Sequence, residues 1–340
     1  MANSNLVSVL TPAYNHEAFI GPCIESVLSQ THTEWEQIII DDGSTDRTRD
    51  IVGRYQDSRI RYYKQENRGL ENLAATYNRG VGYCRGDFVA VLEGDDIWPA
   101  EKLASMVGAF ADSSVVLAYG EMREIDVQGN VAPRGGATAR KLRKLPTSVL
   151  CNDPIGAAVP YMLTVVGHSM IPASTVIIRK SALEAIGGFQ HVPGQLCVDF
   201  PTFIQLALQG KFSYVPGIMG YRRMHIRSAT AQFFEEMTER SHRHLLDLLA
   251  RPEFRLSGEE LAKVLRSWGS VGAGSSYRRG RGLLMRREWR AARACFARAL
   301  RGADALVAMG AIAGWCLSWV HMDLENVYRY AGRPTMRSEQ

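Results

Sequence analysis

The residues with the clearest chemical potential form an acidic run, Glu93-Gly94-Asp95-Asp96, directly after the apolar segment 88–92. Three carboxylates in one turn repel each other unless a cation shares the site. Mg²⁺ and Mn²⁺ take such oxygen ligands and use only one or two protein carboxylates where a nucleotide supplies phosphates. The run alone fits equally well a solvated acidic turn in which Asp96 caps a helix beginning at Trp98-Pro99. A divalent-cation site and a capped turn are therefore both open at this point.

Two further polar clusters follow apolar segments in the same way. Asp41-Asp42-Gly43-Ser44 comes after residues 37–41, and Thr11-Pro12-Ala13-Tyr14-Asn15 comes after residues 6–11. A carboxylate at a strand end can accept the N3–H of a uracil, and a tyrosine ring offers a face on which a base can stack. Taken singly, Asp41 also fits a helix cap and Tyr14 a packed surface side chain. Together with the acidic run, the two clusters favour a nucleotide site.

The elements that would position these clusters can be predicted from the apolar pattern. The first 120 residues alternate short apolar runs with helix-period segments, which is typical of a mostly parallel sheet with crossover helices. The predicted strands are 6–11, 37–41, 60–63, 88–92 and 115–119. In open α/β sheets, ligands bind beyond the carboxyl ends of the strands. We therefore expect the three polar clusters to converge on one crevice.

The rest of the chain has a different pattern. Residues 121–170, with Gly135-Gly136 and a basic stretch at 140–144, predict a long loop over the site. A strand at 174–179, a helix at 200–208 and a strand at 212–215 follow. Residues 229–330 have a helical pattern with breaks near Pro252, 272–274 and Gly302. We expect two parts, a domain of residues 1–228 and a helical C-terminal region of residues 229–340.

A further carboxylate, Asp199, lies in the apolar setting Cys197-Val198-Asp199-Phe200-Pro201 just before a predicted helix. Partial desolvation there would raise its pKa and suit a general base that accepts a proton from a substrate hydroxyl. Its position also fits an N-cap for the helix that begins at Pro201. One residue can fill both roles.

These motifs, taken in order and spacing, resemble those of the family 2 glycosyltransferases with the GT-A fold, over roughly residues 5–228. The motifs that carry the resemblance are Val7-Ser8-Val9-Leu10-Thr11-Pro12-Ala13-Tyr14-Asn15, Ile38-Ile39-Ile40-Asp41-Asp42-Gly43-Ser44-Thr45-Asp46, Asn67-Arg68-Gly69, Asn78-Arg79-Gly80, Gly94-Asp95-Asp96, Ile171-Pro172-Ala173-Ser174, Gly187-Gly188-Phe189, Asp199 and Tyr221-Arg222-Arg223-Met224-His225. The fold it implies is a mixed α/β sheet with flanking helices.

The resemblance also implies roles for individual residues. Around a nucleotide it would place Thr11, Pro12, Tyr14, Asp41, Asn67, Arg68 and Asp95. A Mn²⁺ or Mg²⁺ ion would be held by Asp95, Asp96 and His225, although His225 fits a contact to the pyrophosphate or a buried structural role as well. Asp199 would be the base of an inverting transfer from a nucleotide-diphosphate sugar, with UDP favoured. The acceptor would be a hydroxyl of a saccharide or of a lipid-linked acceptor in cell-surface polysaccharide biosynthesis.

Two positions depart from the family pattern. Glu93 stands where the family commonly has an aspartate, and Val198 replaces the glutamate of a Glu-Asp pair. The loss of that carboxylate leaves open a non-catalytic nucleotide-sugar binding module. A sugar nucleotidyltransferase would need a phosphate loop with glycine and lysine or arginine after the first strand, and residues 11–17 contain none of these.

The charge of the chain is unevenly distributed. Its 340 residues carry a net charge of +5, yet residues 276–301 hold nine arginines against one acid, Glu288. The six cysteines are spaced singly, which indicates neither a disulfide framework nor a zinc site. The first residues have no basic region followed by an apolar core, as a signal peptide would have. We expect a cytoplasmic protein, with no nucleic-acid partner because no recognition motif accompanies the arginines.

The C-terminal region also raises a membrane question. Residues 305–320 lack charge but fall short of the ~17–25 residues that span a bilayer. They fit a docked helix, a helix on a membrane surface, or a span extended by His321 and Met322. Because arginines favour anionic lipid and Trp289, Trp315 and Trp319 are of the interfacial type, residues 276–322 predict contact with an anionic membrane surface. Upstream, Gly280, Leu283, Ala292, Phe296 and Ala299 predict one tetratricopeptide-like hairpin docked on its neighbours.

Overall fold

A computed structural model describes residues 5–132, 142–164, 170–193, 196–254, 256–301 and 303–322. The predicted features at Gly135-Gly136, Arg140 and Gly302 lie outside these ranges. Contacts between Cα atoms divide the chain into a unit of residues 1–237 and a unit of residues 238–340.

The first unit contains a seven-stranded sheet. Its strands are β1 (Val7–Ala13), β2 (Trp35–Asp41), β3 (Ile60–Lys64), β4 (Phe88–Val91), β5 (Val115–Ile125), β6 (Ile177–Arg179) and β7 (Lys211–Arg223), in the spatial order β3-β2-β1-β4-β6-β5-β7. Neighbouring strands pair in parallel except at β6, which is antiparallel to both β4 and β5. Strands β1, β2 and β4 are buried along their whole length, as expected for parallel strands covered on both faces. The predicted mixed α/β fold is confirmed.

Helices flank this sheet. They are α1 (Ile20–Leu28), α2 (Thr48–Val52), α3 (Leu73–Val81), α4 (Lys102–Val107), α5 (Thr147–Leu150), α6 (Val159–Thr164), α7 (Lys180–Ala185) and α8 (Asp199–Ala207). Helix α1 packs Ile20, Cys23, Ile24 and Val27 into a core shared with β1 and β2. The parallel arrangement brings the carboxyl ends of β1, β2 and β4 to one edge, because Val9 pairs with Gln37 and Val7 with Phe88.

The prediction of one long loop at residues 121–170 is wrong in its described part. Strand β5 continues to Ile125 because β7 continues beside it, with Ile125 opposite Arg223. The predicted end of β7 at residue 215 is also wrong. The register shifts between Gly120 and Glu121, and such a bulge lets a strand pass Pro216-Gly217 without ending.

Helix α9 (Ala229–Leu249) runs across the boundary at residue 237, and the second unit continues with α10 (Gly258–Met285), α11 (Trp289–Ala299) and α12 (Ala305–Trp319). The break near Pro252 is confirmed, since a short 3₁₀ turn lies at Pro252–Phe254. The break predicted at 272–274 is wrong, because α10 runs through it. Each glycine costs a helix about 1 kcal/mol relative to alanine, which a 28-residue helix with a capping box at Ser257 and Glu260 tolerates.

The predicted helical hairpin is confirmed. Its core contains Leu284, Ala292, Phe296, Ala299 and Ala311. A Cβ atom at Gly280 would lie 2.8 Å from the Phe296 ring, so the two helices approach closely at that glycine. Within the described ranges, no helix is both long enough and apolar enough to cross a membrane.

Candidate active site

The acidic turn after β4 is held by two distant parts of the chain. Asp96 is 4% exposed, and its oxygens accept hydrogen bonds from the Ser174 hydroxyl at 2.6 Å and the Arg223 backbone amide at 3.0 Å. The Arg223 guanidinium also donates to the carbonyl oxygen of Asp95 at 3.0 Å. Because buried polar groups need partners, these bonds fix the turn. The metal role of Asp96 stays a prediction, since both of its oxygens accept hydrogen bonds within the chain.

Asp95 forms a pair with His225 at the end of β7. Its Oδ2 atom lies 2.9 Å from Nε2 of His225, and the imidazole packs against the Phe19 ring with the ring centroids 4.6 Å apart. The Nδ1 atom of His225 is buried and has no hydrogen-bond partner among the described residues. The structure thus brings together two of the residues predicted around a metal.

Glu93, the first carboxylate of the turn, has a different environment. It accepts a short hydrogen bond from the hydroxyl of Tyr77 on α3, and the Tyr77 ring makes an edge contact with Phe189. Burial, with the nearby charges of Asp95, Asp96 and Asp199, raises the pKa of Glu93 to about 8 against the effect of the Tyr77 bond. A neutral, hydrogen-bonded Glu93 therefore accounts for how three carboxylates share one turn at neutral pH.

The pKa values of the other two carboxylates of the turn are shifted in opposite directions. Burial and the charge of Asp95 raise the pKa of Asp96 to about 7. Burial also acts to raise the pKa of Asp95, but the hydrogen bond with His225 and the charges of His16 and His225 outweigh it, so that this pKa is lowered. Asp95 is therefore the carboxylate of the turn that is firmly ionised at neutral pH.

The loop after β1 lies directly against this turn. Gly94 donates a hydrogen bond to the Pro12 carbonyl at 3.1 Å. A Cβ atom at Gly94 would lie 2.6 Å from Nδ1 of His16 and 3.0 Å from the Pro12 oxygen, so only glycine fits. The pKa of His16 is lowered, because the effect of burial outweighs the opposite effect of the Asp95 charge. The polar cluster after β1 and the acidic turn therefore adjoin, as the sequence predicts.

On the nucleotide side, Asp41 ends β2 and is fully buried. Its carboxylate accepts a hydrogen bond from the Ser44 amide at 2.7 Å and a short one from the Tyr62 hydroxyl. Tyr14, by contrast, is 47% exposed. An exposed aromatic ring beside the ends of β1 and β2 can take a base on its face, whereas Asp41 is pre-oriented by its partners.

Asn67 and Arg68 lie against the Asp41–Ser44 turn. The carboxylate of Asp42 accepts the Arg68 backbone amide at 3.1 Å. A Cβ atom at Gly43, whose φ is +81°, would lie 2.6 Å from the backbone nitrogen of Asn67. The side chains of Asn67 and Arg68 are exposed. The backbone of Arg68 is thus held by Asp42, the backbone of Asn67 lies against Gly43, and both side chains are exposed.

The remaining residues predicted near the nucleotide, Thr11 and Pro12, lie inside the fold. Thr11 and Pro12 are buried, and the Thr11 hydroxyl accepts a hydrogen bond from the Gln37 side chain at 3.0 Å. Thr11 therefore supports the end of β1, and a direct contact with nucleotide stays a prediction.

Asp199 is the first residue of α8. Burial raises its pKa, against hydrogen bonds from the Phe200 amide and the Cys197 thiol. The prediction that Asp199 is the N-cap is wrong, because the N-cap is Val198 and no side chain caps this helix. The charge of Asp199 contributes to the raised pKa of Glu93, so the two carboxylates lie near enough to influence each other's ionisation.

The residues present fit a divalent cation that is shared with a substrate. In the ranges described, no three histidine, cysteine, aspartate or glutamate side chains gather as a complete metal site. An ionised carboxylate from Asp95 and the imidazole of His225 offer two ligands. This agrees with Mg²⁺ or Mn²⁺ bound by one or two protein groups and substrate phosphates.

Several residues at the site were missed in the sequence. Tyr62, Tyr77, Asp42, Arg223 and Ser174 hold the predicted carboxylates and loops, and His16 lies between the clusters. Asp42, Arg223 and Ser174 stand inside motifs of the family, which is the signal that could have found them. Tyr62 and Tyr77 carry no such signal, because their partners lie 21 and 16 residues away.

Comparison with solved structures identifies the type of fold. The chain aligns with Staphylococcus aureus TarS 1–349 in complex with UDP-GlcNAc at a TM-score of 0.57 and 17% identity, over 96% of this chain and 92% of that chain. It aligns with the mannosyltransferase PcManGT from Pyrobaculum calidifontis in complex with GDP-Man and Mn²⁺ at a TM-score of 0.57 and 17% identity, over 92% of this chain and 80% of the other. The fold is of the GT-A type.

Sequence comparisons then give the family. The glycosyl transferase family 2 model matches residues 8–164. The chain is 34% identical over 212 residues to the putative teichuronic acid biosynthesis glycosyltransferase TuaG of Bacillus subtilis, covering 62% of this chain and 75% of that protein. The chain belongs to glycosyl transferase family 2 and is a glycosyltransferase by family.

Two further relatives show how far the similarity extends. The UDP-Glc:alpha-D-GlcNAc-diphosphoundecaprenol beta-1,3-glucosyltransferase WfgD of Escherichia coli is 37% identical over 121 residues, covering 36% of this chain and 47% of that protein. An uncharacterized glycosyltransferase of Nostoc sp. is 28% identical over 222 residues, covering 64% of this chain and 65% of the other. The chain thus spans about half to three quarters of the length of these relatives.

Proposed function

We propose that this protein transfers a sugar from a UDP-linked donor to a hydroxyl of a saccharide or lipid-linked acceptor, with inversion and with a divalent cation. The observation that carries the proposal is the Asp95–His225 pair at 2.9 Å. Two further groups complete it, the carboxylate of Asp199, whose pKa burial raises, and the exposed ring of Tyr14. These groups supply ligands, a base and a stacking surface at one sheet edge.

The base is Asp199. Its raised pKa makes its carboxylate a better proton acceptor than an exposed aspartate, and burial is the cause of the shift. In the proposed reaction, the acceptor oxygen attacks the anomeric carbon from the side opposite to the diphosphate. The hydroxyl proton passes to Asp199 as the bond between the anomeric carbon and the diphosphate breaks.

Asp95 and His225 would hold the cation. A bound Mn²⁺ or Mg²⁺ supplies charge neutralisation for the diphosphate leaving group. The other two carboxylates of the turn have supporting tasks: Asp96 anchors the turn through Ser174 and Arg223, and Glu93, whose pKa is raised by burial, is held in place by its hydrogen bond from Tyr77. This division leaves one ionised carboxylate facing the diphosphate.

The donor nucleotide is proposed to be UDP. Asp41, with Ser44 and Tyr62 fixing its carboxylate, could accept the N3–H of uracil after a shift of one partner. The names of WfgD and of the bound ligand of TarS both include a UDP-sugar, which supports this choice, whereas PcManGT binds GDP-Man. The names of WfgD and TuaG support an acceptor in cell-surface polysaccharide synthesis, with a lipid diphosphate as one form.

Calorimetry and a turnover assay test this proposal. Titration with UDP and GDP in the presence of Mn²⁺ should show tighter binding of UDP. A panel of UDP-sugars should give UDP release that needs Mn²⁺ or Mg²⁺ and an acceptor. Donor binding without any turnover across acceptors would favour the non-catalytic binding module, which the replacement of a glutamate by the buried Val198 makes the second candidate.

We also propose that the protein works on the cytoplasmic side of a membrane. Nucleotide sugars are the substrates of such a site, and a lipid-linked acceptor would be presented at the membrane surface. All six cysteines lie in described residues and none of them forms a disulfide, which agrees with a reducing compartment. The contact would be made by residues 276–322, which combine arginines with an uncharged helix.

A further inference from the structure

Helix α12 has no charged residue between Ala305 and Trp319. One strip of it, with Ala311, Gly314 and Ser318, is buried in the helical unit. A Cβ atom at Gly310 would lie 2.6 Å from the Tyr277 hydroxyl, and one at Gly314 would lie 2.3 Å from the Phe296 ring. The small residues of α12 are therefore used for packing onto α10 and α11.

The opposite side of α12 is an apolar face that is exposed within the described part of the chain. Leu306 is 84% exposed, Met309 68% and Ile312 53%. Further along the helix, Trp319 is 58% exposed and Val320 65%. Spacings of three and four residues put such side chains on adjoining lines of one helix surface. We call Leu306, Met309, Ile312, Trp315, Trp319 and Val320 the apolar face.

Arg293 borders this face, and the same helical unit carries further exposed arginines. The guanidinium of Arg293 lies 4.2 Å from the centroid of the Trp319 ring and donates to the Ser318 carbonyl at 3.0 Å. The end of α10, the turn after it and α11 carry further exposed arginines, which include Arg279, Arg286, Arg290, Arg298 and Arg301. An apolar strip with a cationic border matches the layered chemistry of an anionic bilayer surface.

We propose that the apolar face of α12 lies in the interfacial layer of an anionic phospholipid membrane, with the neighbouring arginines on the lipid phosphates. This inference names the partner and the inserting side chains for the membrane contact proposed above, and it rests on that contact. It is independent of the transfer chemistry. Trp315 and Trp319 would lie at the level of the headgroups, where tryptophan is enriched.

Charge and length select this occupant over two others. A second copy would bring the same arginines against themselves in a twofold interface, whereas lipid phosphates have the opposite charge. A 15-residue helix is about 22 Å long at 1.5 Å per residue, which is less than the ~30 Å hydrocarbon core. The helix therefore lies along the surface.

The test is sedimentation of the full-length chain with vesicles. Vesicles of phosphatidylcholine alone are compared with vesicles of phosphatidylcholine and phosphatidylglycerol in equal amounts. The variant Leu306→Gln/Met309→Gln/Ile312→Gln changes three exposed side chains of the face. The matched control, Leu261→Gln/Leu265→Gln, changes exposed leucines of α10. A third variant, Arg286→Gln/Arg290→Gln, lowers the charge.

The chain should bind the vesicles with phosphatidylglycerol at least tenfold more tightly than those without it. The triple glutamine variant and the arginine variant should each lose binding by at least tenfold, while the control retains it. Tryptophan emission of the wild-type chain should shift to shorter wavelength on binding. Circular dichroism and the midpoint of thermal unfolding verify that the variants are folded.

Three results would overturn the inference. The first is equal binding of the wild-type chain to vesicles with and without phosphatidylglycerol. The second is a triple variant that binds the vesicles as tightly as wild type. The third is a dimer in light scattering of the wild-type chain and a monomer in that of the triple variant. UDP binding by calorimetry, measured on the same variants, separates this inference from the proposed reaction. Vesicle binding without UDP binding would contradict only the proposed sugar transfer. UDP binding without vesicle binding would contradict only the proposed membrane contact of α12.

Discussion

The Nε2 atom of His225 lies 2.9 Å from the Asp95 carboxylate, although 130 residues separate them in the chain. An antiparallel bridge between Ile97 and Tyr221 joins the segment after β4 to the end of β7. Because this bridge fixes both backbones, the two side chains meet although β4 and β7 are not neighbours in the sheet. The pair is thus a product of topology and not of local sequence.

Replacing His225 tests the role of this pair. His225→Gln removes the imidazole but keeps a polar side chain. We expect Mn²⁺ affinity in the presence of UDP to fall by about 10–100-fold, the range seen when groups around a metal are removed. Calorimetric titration of Mn²⁺ into the UDP complex measures this. The control His32→Gln alters a histidine that bonds only to the carbonyls of Asn5 and Glu34 in the described structure. Equal Mn²⁺ affinity in His225→Gln and wild type would remove His225 from the site.

Replacing Asp199 tests the base. Asp199→Asn keeps the shape of the side chain and removes its ability to take a proton. Initial rates of transfer should fall by about 10²–10⁴-fold, the usual contribution of a general base, while the Kd for UDP stays within twofold of wild type, since Asp199 is placed at the acceptor. Asp87→Asn, an exposed carboxylate before β4, serves as the control. Transfer at the wild-type rate in Asp199→Asn would show that another group accepts the proton.

The contact between the β1 loop and the acidic turn can be tested with one added methyl group. In Gly94→Ala, the Cβ atom would lie 2.6 Å from His16 and 3.0 Å from the Pro12 oxygen. Overpacking of this kind costs about 1–3 kcal/mol in stability, and transfer should fall with the displaced turn. Urea unfolding and initial rates measure both effects. Gly108→Ala, where nothing lies within 4 Å of the added Cβ, should leave both unchanged or raise stability slightly.

Acid stability should depend on Glu36, which lies far from the proposed chemistry. Its carboxylate is bonded to Arg61 at 2.6 Å and to Arg85 at 2.8 Å, and although burial opposes the change, hydrogen bonds from Arg85 and Ser8 lower its pKa. A lowered pKa in the folded state adds stability above the ordinary glutamate pKa of about 4.3, and that stability is lost as the pH falls through the folded-state value.

Glu36→Gln should therefore cost about 1.5–3 kcal/mol at pH 7 and less at pH 3–4, which flattens the acid limb of the stability curve. Urea unfolding across this range measures it. A difference between wild type and Glu36→Gln that does not change with pH would contradict the assignment. Glu34→Gln, an exposed neighbour, should follow the wild-type curve.

The first four strands of the sheet could be predicted because buried runs such as Ile38-Ile39-Ile40 admit few alternatives. The convergence of Asp41, Asp95 and the β1 loop follows from parallel pairing, so it could be predicted as well. The length of β7 could not, because its continuation past Pro216-Gly217 depends on β5 beside it. Helix α10 likewise continues through Gly272 and Gly274 because its packing offsets their weak propensity.

Within the site, residue types were predictable but partners were not. The sequence marks Asp96 as a carboxylate in an acidic run, yet its partners Ser174 and Arg223 lie 78 and 127 residues away. Burial and the charge of Asp95 raise the pKa of Asp96, whereas the hydrogen bond with His225 and the charges of His16 and His225 lower the pKa of Asp95. Tyr62 and Tyr77 are invisible in the pattern for the same reason, since each gains its role through a tertiary hydrogen bond.

The most direct test of the central claim is the anomeric configuration of the product. The full-length chain is incubated with an α-linked UDP-sugar, Mn²⁺ and a saccharide acceptor, and the new linkage is read by proton NMR. The account predicts a β-linked product, and none when EDTA removes the cation. An α-linked product, or equal turnover in EDTA, would contradict it.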